Sequence, residues 1–258
     1  MASTAVPSSP NVARGEAPQG TPKAAAKTLP WWFQPVAIVV VLSGFGLYAT
    51  WAAFQGHNYQ VGPYLSPFYS PEIWTNGPIS SAVWILWIPL LFRASCYYYR
   101  KSYYRSFFWD PPACAIAEPR RGGYRGETVF PWVFSNLHRF FLYLSIVVLG
   151  FLWYDALVAF WWQGRVYFGL GGIIMVVNCI FLSLYVLSCH SLRHLLGGNV
   201  DCYSCTAGGN TRYGLWSVLS RFNKRHGLYA WLSLFSVLFA DVYIRFLAAG
   251  VEHLPVVH

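Results

Sequence analysis

Five long apolar segments alternate with polar connections along this chain, and each is near the roughly 20 residues that a helix needs to cross a bilayer. They cover residues 31–54, 79–99, 133–162, 167–194 and 226–249. Only helices and closed barrels satisfy every backbone group in lipid. The pattern therefore predicts an all-α integral membrane bundle of five transmembrane helices, with a kink at Pro89 in the second. We find no internal repeat of the kind that many transporters carry.

The positive residues define an orientation for this bundle. Eight Lys or Arg lie between residues 93 and 139, five between 193 and 225, three in the N-terminal tail, and none between 55 and 78. The positive-inside rule then places the N-terminus in the cytoplasm and the C-terminus outside. Residues 1–30, rich in Ala, Pro, Ser, Thr and Gly, are expected to be a disordered cytoplasmic tail.

The remaining division of the chain follows from this topology. Residues 31–250 form the membrane anchor domain, and residues 251–258 form an outer C-terminal tail. The cytoplasmic connections 100–132 and 195–225 are too long for simple turns, so we expect them to dock a soluble partner. The predicted location is the plasma membrane, crossed several times.

Composition agrees with a membrane protein and narrows the classes of partner. The chain is 56% hydrophobic and 10% charged, whereas soluble domains carry about 25% charged residues. The net charge of +9 comes from the connections, so it indicates topology rather than nucleic-acid binding. The six cysteines are not expected to form a disulfide framework, because most lie on the cytoplasmic side, where thiols stay reduced.

Metal-binding side chains concentrate at the cytoplasmic ends of the predicted helices. Ionisable side chains are costly in a bilayer, so such a cluster marks a functional site by default. Counted along the helices, these residues lie at similar depth, and His190 and His194 share a helical face at i, i+4. The cluster contains Cys96, His138, Cys189, His190, His194 and His226.

Three metal centres are compatible with these residues. One b haem needs two histidines at one level on facing helices. A Rieske-type [2Fe–2S] cluster needs two cysteines on one iron and two histidines on the other. A structural zinc site in a membrane scaffold or transporter could use the C-x2-C pair Cys202 and Cys205 with His190 and His194.

Other polar residues within the predicted spans have simpler interpretations. Asp241 and Arg245 are i, i+4 on the fifth segment and predict a buried ion pair, with a proton path as the alternative. Arg93, Tyr97 and Arg139 at the cytoplasmic side are candidate hydrogen-bond donors to a quinone carbonyl.

Four sequence blocks together resemble a known family. They are SCYYYRKSYYRSFFWDPPACAIAEP (95–119), RGETVFPWVFSNLHRFFLY (125–143), LSCHSLRH (187–194) and NKRHGLYAW (223–231). In order and spacing they resemble the single-chain membrane anchor of actinobacterial succinate dehydrogenase, of the mycobacterial type. The resemblance implies a respiratory complex II with a flavoprotein subunit and an iron–sulfur subunit, and no dehydrogenase site on this chain itself.

The resemblance also implies a cofactor and a substrate. Electrons would pass from the iron–sulfur subunit through a membrane-embedded Rieske-type cluster, without haem, to a quinone (menaquinone or ubiquinone). The thiolate ligands would come from Cys96, Cys114 and Cys189, and the imidazole ligands from His138, His226 and His190. His194, Cys202 and Cys205 are lower-ranked ligand candidates.

Overall fold

The computed structural model describes residues 30–74, 77–109, 128 and 132–250. Two short antiparallel hairpins, β1–β2 and β3–β4, connect the helices at one end of the bundle. Their strands are β1 (Gln60–Val61), β2 (Tyr64–Leu65), β3 (Trp161–Trp162) and β4 (Arg165–Val166). The α-helices are α1 (Phe33–Gln55), α2 (Ser81–Ser95), α3 (Tyr97–Phe108), α4 (His138–Val158), α5 (Leu170–Leu187), α6 (His190–Arg193), α7 (Gly209–Asn223) and α8 (His226–Ala248).

Four of these helices are long and apolar enough to cross a membrane, namely α1, α4, α5 and α8. Large apolar side chains such as Leu47, Phe140 and Phe239 project from them into the surroundings. A helix that is apolar outside as well as inside suits lipid rather than water. The second predicted span differs, because α2 has only 15 residues and falls short of a full crossing by length.

The predicted second and fourth spans both end earlier than the apolar pattern suggested. Cys96 separates α2 from α3 with extended backbone angles (φ −63°, ψ 130°), and Cys189 separates α5 from α6 with almost the same angles (φ −63°, ψ 133°). One extended residue breaks the helical hydrogen-bond ladder and redirects the chain. Pro89 lies inside α2 and does not end it.

The predicted connection 195–225 is largely helical. A π-helical turn at His194–Gly198 follows α6 directly, and α7 covers most of the rest before α8 begins at His226. At the other predicted connection, α3 packs back against α1. Helix α5 packs against α8 and α4, and α4 packs against α2, so these helices form the centre of the bundle.

The hairpin end of the bundle is held by a buried carboxylate. Asp241 is fully buried, and its oxygens accept hydrogen bonds from Ser66 Oγ, from Tyr48 Oη at 2.5 Å and from Arg245 Nε at 2.8 Å. The predicted ion pair between Asp241 and Arg245 is therefore confirmed. Since Ser66 lies in the connection after β2, this carboxylate ties that connection to α1 and α8.

Candidate metal centre

Two crossed thiol–imidazole pairs lie at the end of the bundle opposite the hairpins, which we call the Cys–His end. His138 Nε2 lies 3.1 Å from Cys189 Sγ, and His226 Nε2 lies 3.2 Å from Cys96 Sγ. The four side chains line a single cavity. Both histidines are the first residues of their helices, α4 and α8, and both cysteines are the extended residues that end α2 and α5.

A serine holds each imidazole through its other nitrogen. Ser95 Oγ lies 2.9 Å from His138 Nδ1, and Ser188 Oγ lies 2.7 Å from His226 Nδ1. Each serine donates its own proton to a carbonyl in the preceding turn of its helix, at 2.6 Å and 3.0 Å respectively. Each hydroxyl must therefore accept from Nδ1–H. This leaves the Nε2 lone pair of both imidazoles directed toward a thiol, as in a histidine prepared to bind a metal.

The two halves of this site repeat one short motif. Residues 92–96 read Phe-Arg-Ala-Ser-Cys and residues 185–189 read Tyr-Val-Leu-Ser-Cys, so an aromatic residue precedes each Ser-Cys by three positions. In each half the serine holds the histidine that faces the cysteine of the other half. This five-residue similarity does not extend into a longer internal repeat, because the sequences around it differ. The two copies of this aromatic-x-x-Ser-Cys motif are the sequence signal from which Ser95 and Ser188 could have been predicted.

The aromatic residue of each motif packs under the histidine that its serine holds. The Phe92 and His138 rings stack with centroids 4.8 Å apart and planes 4° apart. The Tyr185 and His226 rings stack with centroids 5.1 Å apart and planes 16° apart. These contacts close the site toward the centre of the bundle and fix the imidazole orientations.

A cavity of about 1030 Å³ lies on the outward side of the four donors. Cys96, His138, Cys189 and His226 all contribute to its wall. The rim is basic, and among the residues that the structure describes none of those that line it is acidic. A negatively charged cofactor or protein surface would be attracted to such a rim. The basic lining residues are Arg100, Lys101, Arg139, Lys224 and Arg225.

The other predicted histidines lie in the same cavity but outside the crossed pairs. Arg193 Nη2 lies 3.0 Å from His190 Nδ1, and Arg139 Nη2 lies 3.1 Å from His194 Nδ1. His190 lies at the surface of the cavity. The pKa of its imidazole is lowered by desolvation of the buried part of the ring and by the neighbouring Arg193 guanidinium. In place of a shared metal position between these two histidines, the Nδ1 atom of each faces its own arginine.

The predicted quinone ligands are divided between two regions. Tyr97 is 68% exposed and lines the rim of the cavity together with Arg139. Arg93 instead points into the bundle, where it donates to the Tyr99 hydroxyl at 2.8 Å and to Ser233 Oγ at 3.0 Å. Its guanidinium also lies 4.8 Å above the Tyr185 ring, so Arg93 supports the inner wall of the site.

The structure differs from the expectation for Cys202 and Cys205. The two are joined in a disulfide, whereas the sequence predicted reduced thiols and left a zinc knuckle open as one alternative. The C-x2-C spacing brings their Cα atoms to 5.3 Å, a separation that suits a disulfide, and oxidised sulfurs offer no thiolate to a metal. Cys114, the remaining ligand candidate, lies outside the described residues.

The chemistry of the four donors is that of a soft-metal site. Burial raises the pKa of the Cys189 thiol to about 12, so a bound metal would have to displace its proton. Among the residues that the structure describes, no three His, Cys, Asp or Glu side chains converge on a position for a single ion. The donors are arranged as two pairs, each with one sulfur and one nitrogen.

The fold and the site define an integral membrane helix bundle with a thiol–imidazole centre at one end. The chain belongs to the family of the actinobacterial succinate dehydrogenase subunit SdhC, whose model matches residues 33–250. It is also similar to a chain of the Mycobacterium smegmatis Sdh1 complex in the apo form. The two are 38% identical, the match covers 92% of this chain and 96% of that chain, and the TM-score is 0.80. No curated protein matches the chain.

Family and structural similarity agree with the resemblance seen in the sequence. The chain is a membrane anchor subunit of an actinobacterial complex II and associates with other subunits of succinate dehydrogenase. Its activity in that enzyme is therefore a property of the assembled complex.

Proposed function

We propose that this anchor conducts electrons from the iron–sulfur subunit to a quinone through a Rieske-type [2Fe–2S] cluster. The ligands we assign are Cys96, Cys189, His138 and His226. When bound, such a cluster accepts and releases one electron, and its histidine pair raises the reduction potential toward that of a quinone. We assign the oxidation of succinate to the flavoprotein subunit rather than to this chain.

The observation that carries the proposal is the set of two crossed pairs with serine-held imidazoles. A Rieske-type cluster requires two thiolates and two neutral imidazoles, and this donor set supplies that number. Both Nε2 atoms are available because the serines accept from Nδ1–H. A haem would need both Nε2 atoms directed at one iron across an open plane, whereas here each faces a sulfur within 3.2 Å.

The basic rim supports the docking of the soluble subunits at the same end. Lys224, Arg225, Arg100 and Lys101 surround the mouth of the cavity, and α3 and α7 flank it. The positive-inside rule assigns this end to the cytoplasm and hence the chain to the plasma membrane. The flavoprotein and iron–sulfur subunits would then lie on the cytoplasmic side, and the quinone would approach from the membrane beside Tyr97 and Arg139.

Metal and spectral analysis of the purified complex tests this proposal. We expect the anchor to contribute iron and acid-labile sulfide, which Cys189→Ser removes while the soluble clusters remain. Cys179→Ser is the matched control, because Cys179 is a buried thiol on α5 that donates to the Leu152 carbonyl away from the site. A sharp haem band at about 560 nm, or zinc without additional iron, would contradict the proposal.

A variant of His190 separates this ligand set from the wider one that the sequence allows. His190→Ala should retain the cluster, because its imidazole faces Arg193 rather than a thiol. Loss of the additional iron in His190→Ala, measured in the same complex, would show that the ligands are assigned incorrectly.

A further inference from the structure

The Tyr185 hydroxyl beside the site has no hydrogen-bond partner, and the other half of the site has no equivalent hydroxyl. Tyr185 is 1% exposed, and its hydroxyl makes no hydrogen bond. Burial of an unpaired hydroxyl costs free energy, so such a group requires an explanation. Phe92 occupies the equivalent position in the other half and stacks on its histidine equally well. The hydroxyl of Tyr185 is therefore not needed for packing.

The surroundings hold the phenol in one orientation. His226 stacks on one side of the ring, the Arg93 guanidinium lies 4.8 Å from its centroid, and the Phe92 and Tyr99 rings contact it edge-on at 5.4 and 6.1 Å. The ring cannot turn away without disturbing several buried residues. The hydroxyl is thus kept in place although it has no partner.

The sulfur of Cys96 is a soft acceptor on this side of the site, because the His226 ring that stacks on Tyr185 has its Nε2 atom 3.2 Å from Cys96 Sγ. Cys96 and Tyr185 belong to the same buried cluster, and the Tyr185 hydroxyl makes no hydrogen bond to the sulfur. A neutral thiol is a weak acceptor, but a metal-bound thiolate carries negative charge and accepts far more strongly. Binding of a metal by Cys96 would therefore supply the partner that the hydroxyl lacks.

We propose that the Tyr185 hydroxyl donates a hydrogen bond to the Cys96 sulfur once this sulfur is an iron-bound thiolate, and that it thereby raises the reduction potential of the cluster. The inference rests on the proposed function. Reduction adds one negative charge to the site, and a hydrogen bond to a ligating sulfur favours the more negative state. Tyr185 acts as a tuning residue on one side only, because Phe92 has no hydroxyl to offer Cys189.

A redox titration of the purified complex followed by electron paramagnetic resonance tests this inference. We expect Tyr185→Phe to keep the full cluster signal but to lower its midpoint potential. A hydrogen bond that favours the reduced state about tenfold corresponds to a fall of about 59 mV. Since Phe92 already sustains the same stacking, the variant is expected to fold.

Tyr64→Phe is the matched control. Tyr64 is also 1% exposed and its hydroxyl is also unpaired, but it lies on β2 at the hairpin end. Its removal should leave the potential unchanged. An unchanged potential in Tyr185→Phe with full signal would overturn the inference and leave the proposed cluster intact. A loss of signal without a change in potential would also overturn it, by assigning Tyr185 a structural role only. Absence of any anchor cluster in the unmodified complex would overturn the proposed function itself.

Discussion

Both ends of this bundle bury polar side chains, but they differ in how far the protein alone satisfies them. At the hairpin end, both oxygens of the buried Asp241 carboxylate accept hydrogen bonds, and Arg245 neutralises its charge. At the Cys–His end the polar groups are buried thiols and partly buried imidazoles, and each thiol contacts one imidazole. The carboxylate network is complete in the protein alone, whereas the thiol–imidazole site retains unused bonding capacity.

This difference separates a stabilising network from a binding site. A carboxylate and a guanidinium compensate each other only when both are present, so their value lies in stability. Thiol and imidazole lone pairs are ligands for soft metals. Those at the Cys–His end could therefore still bind a metal cofactor. Changes at the hairpin end should therefore affect folding, and changes at the Cys–His end should affect the cofactor.

The largest effect is expected from removing an imidazole of the crossed pairs. His138→Ala or His226→Ala should abolish the anchor cluster and quinone reduction, while succinate-driven dye reduction by the soluble subunits persists. Parallel assays with quinone and with dye measure this split. His57→Ala is the control, because His57 lies near the hairpin end and contacts the Gln55 carbonyl. Normal quinone reduction in both site variants would show that the ligands are wrong.

The next effect should fall on stability alone. Asp241→Ala leaves Arg245 partly buried without its carboxylate, and breaking a buried pair costs about 3–5 kcal/mol. Thermal unfolding of the purified complex should show the loss, while the remaining folded protein keeps an unchanged cluster spectrum. Asp201→Asn, at an exposed position, should have little effect on either quantity. A selective loss of the cluster in Asp241→Ala would contradict the assigned division of roles.

A smaller effect is expected at the serines. Ser188→Ala removes the acceptor of His226 Nδ1–H, and loss of such an outer partner costs about 10–100-fold in metal affinity. The rate at which a chelator extracts iron measures this change. Ser220→Ala, which removes a hydroxyl that donates to the Trp216 carbonyl of α7, provides the comparison. Equal iron loss from both variants would argue against the serine-held imidazole.

A backbone contact next to His226 provides a finer test. A Cβ at Gly227 would lie 2.6 Å from the Tyr98 ring, so Gly227→Ala should displace that ring or the start of α8, at a cost of about 1–3 kcal/mol. Gly150, on α4, has nothing within 4 Å of an added Cβ, and Gly150→Ala should be nearly neutral. Thermal unfolding and cluster spectra of the two variants should differ accordingly. Similar behaviour of both would remove this support for a tightly positioned His226.

The smallest effect is expected at the disulfide. Replacing both Cys202 and Cys205 by Ser should leave the iron and sulfide content of the complex unchanged, because the two sulfurs are bonded to each other. Elemental analysis of the variant complex measures this content. A loss of iron would show that Cys202 and Cys205 do act as ligands.

The sequence predicted the helices better than their ends. The lengths of the apolar segments predicted where α1, α4, α5 and α8 lie, and most of the predicted helix ends are within a few residues of the observed ones. Lipid constrains the length and the composition of a spanning helix together. The breaks at Cys96 and Cys189 were not predicted, since each depends on one extended residue within an apolar run. The helix α7 was also missed, because it lies within a polar connection whose composition is typical of loops.

For the candidate site, the sequence supplied the residues but not their pairing. Counting helical rise along each span placed Cys96, His138, Cys189 and His226 at one level, and the structure brings them together. It could not distinguish them from His190, because depth along a helix does not specify which direction a side chain faces. The direction depends on how α4 and α8 rotate against α2 and α5, which is a property of the packed bundle.

Nitrogen hyperfine spectroscopy on the reduced complex tests the central claim most directly, namely that imidazoles and thiolates of the anchor jointly hold redox iron. The account predicts a paramagnetic [2Fe–2S] signal with strong coupling to two imidazole nitrogens, which disappears in His226→Ala and survives in His190→Ala. A complex whose only iron–sulfur signals lack imidazole nitrogen coupling, and belong to the soluble subunits, would contradict it.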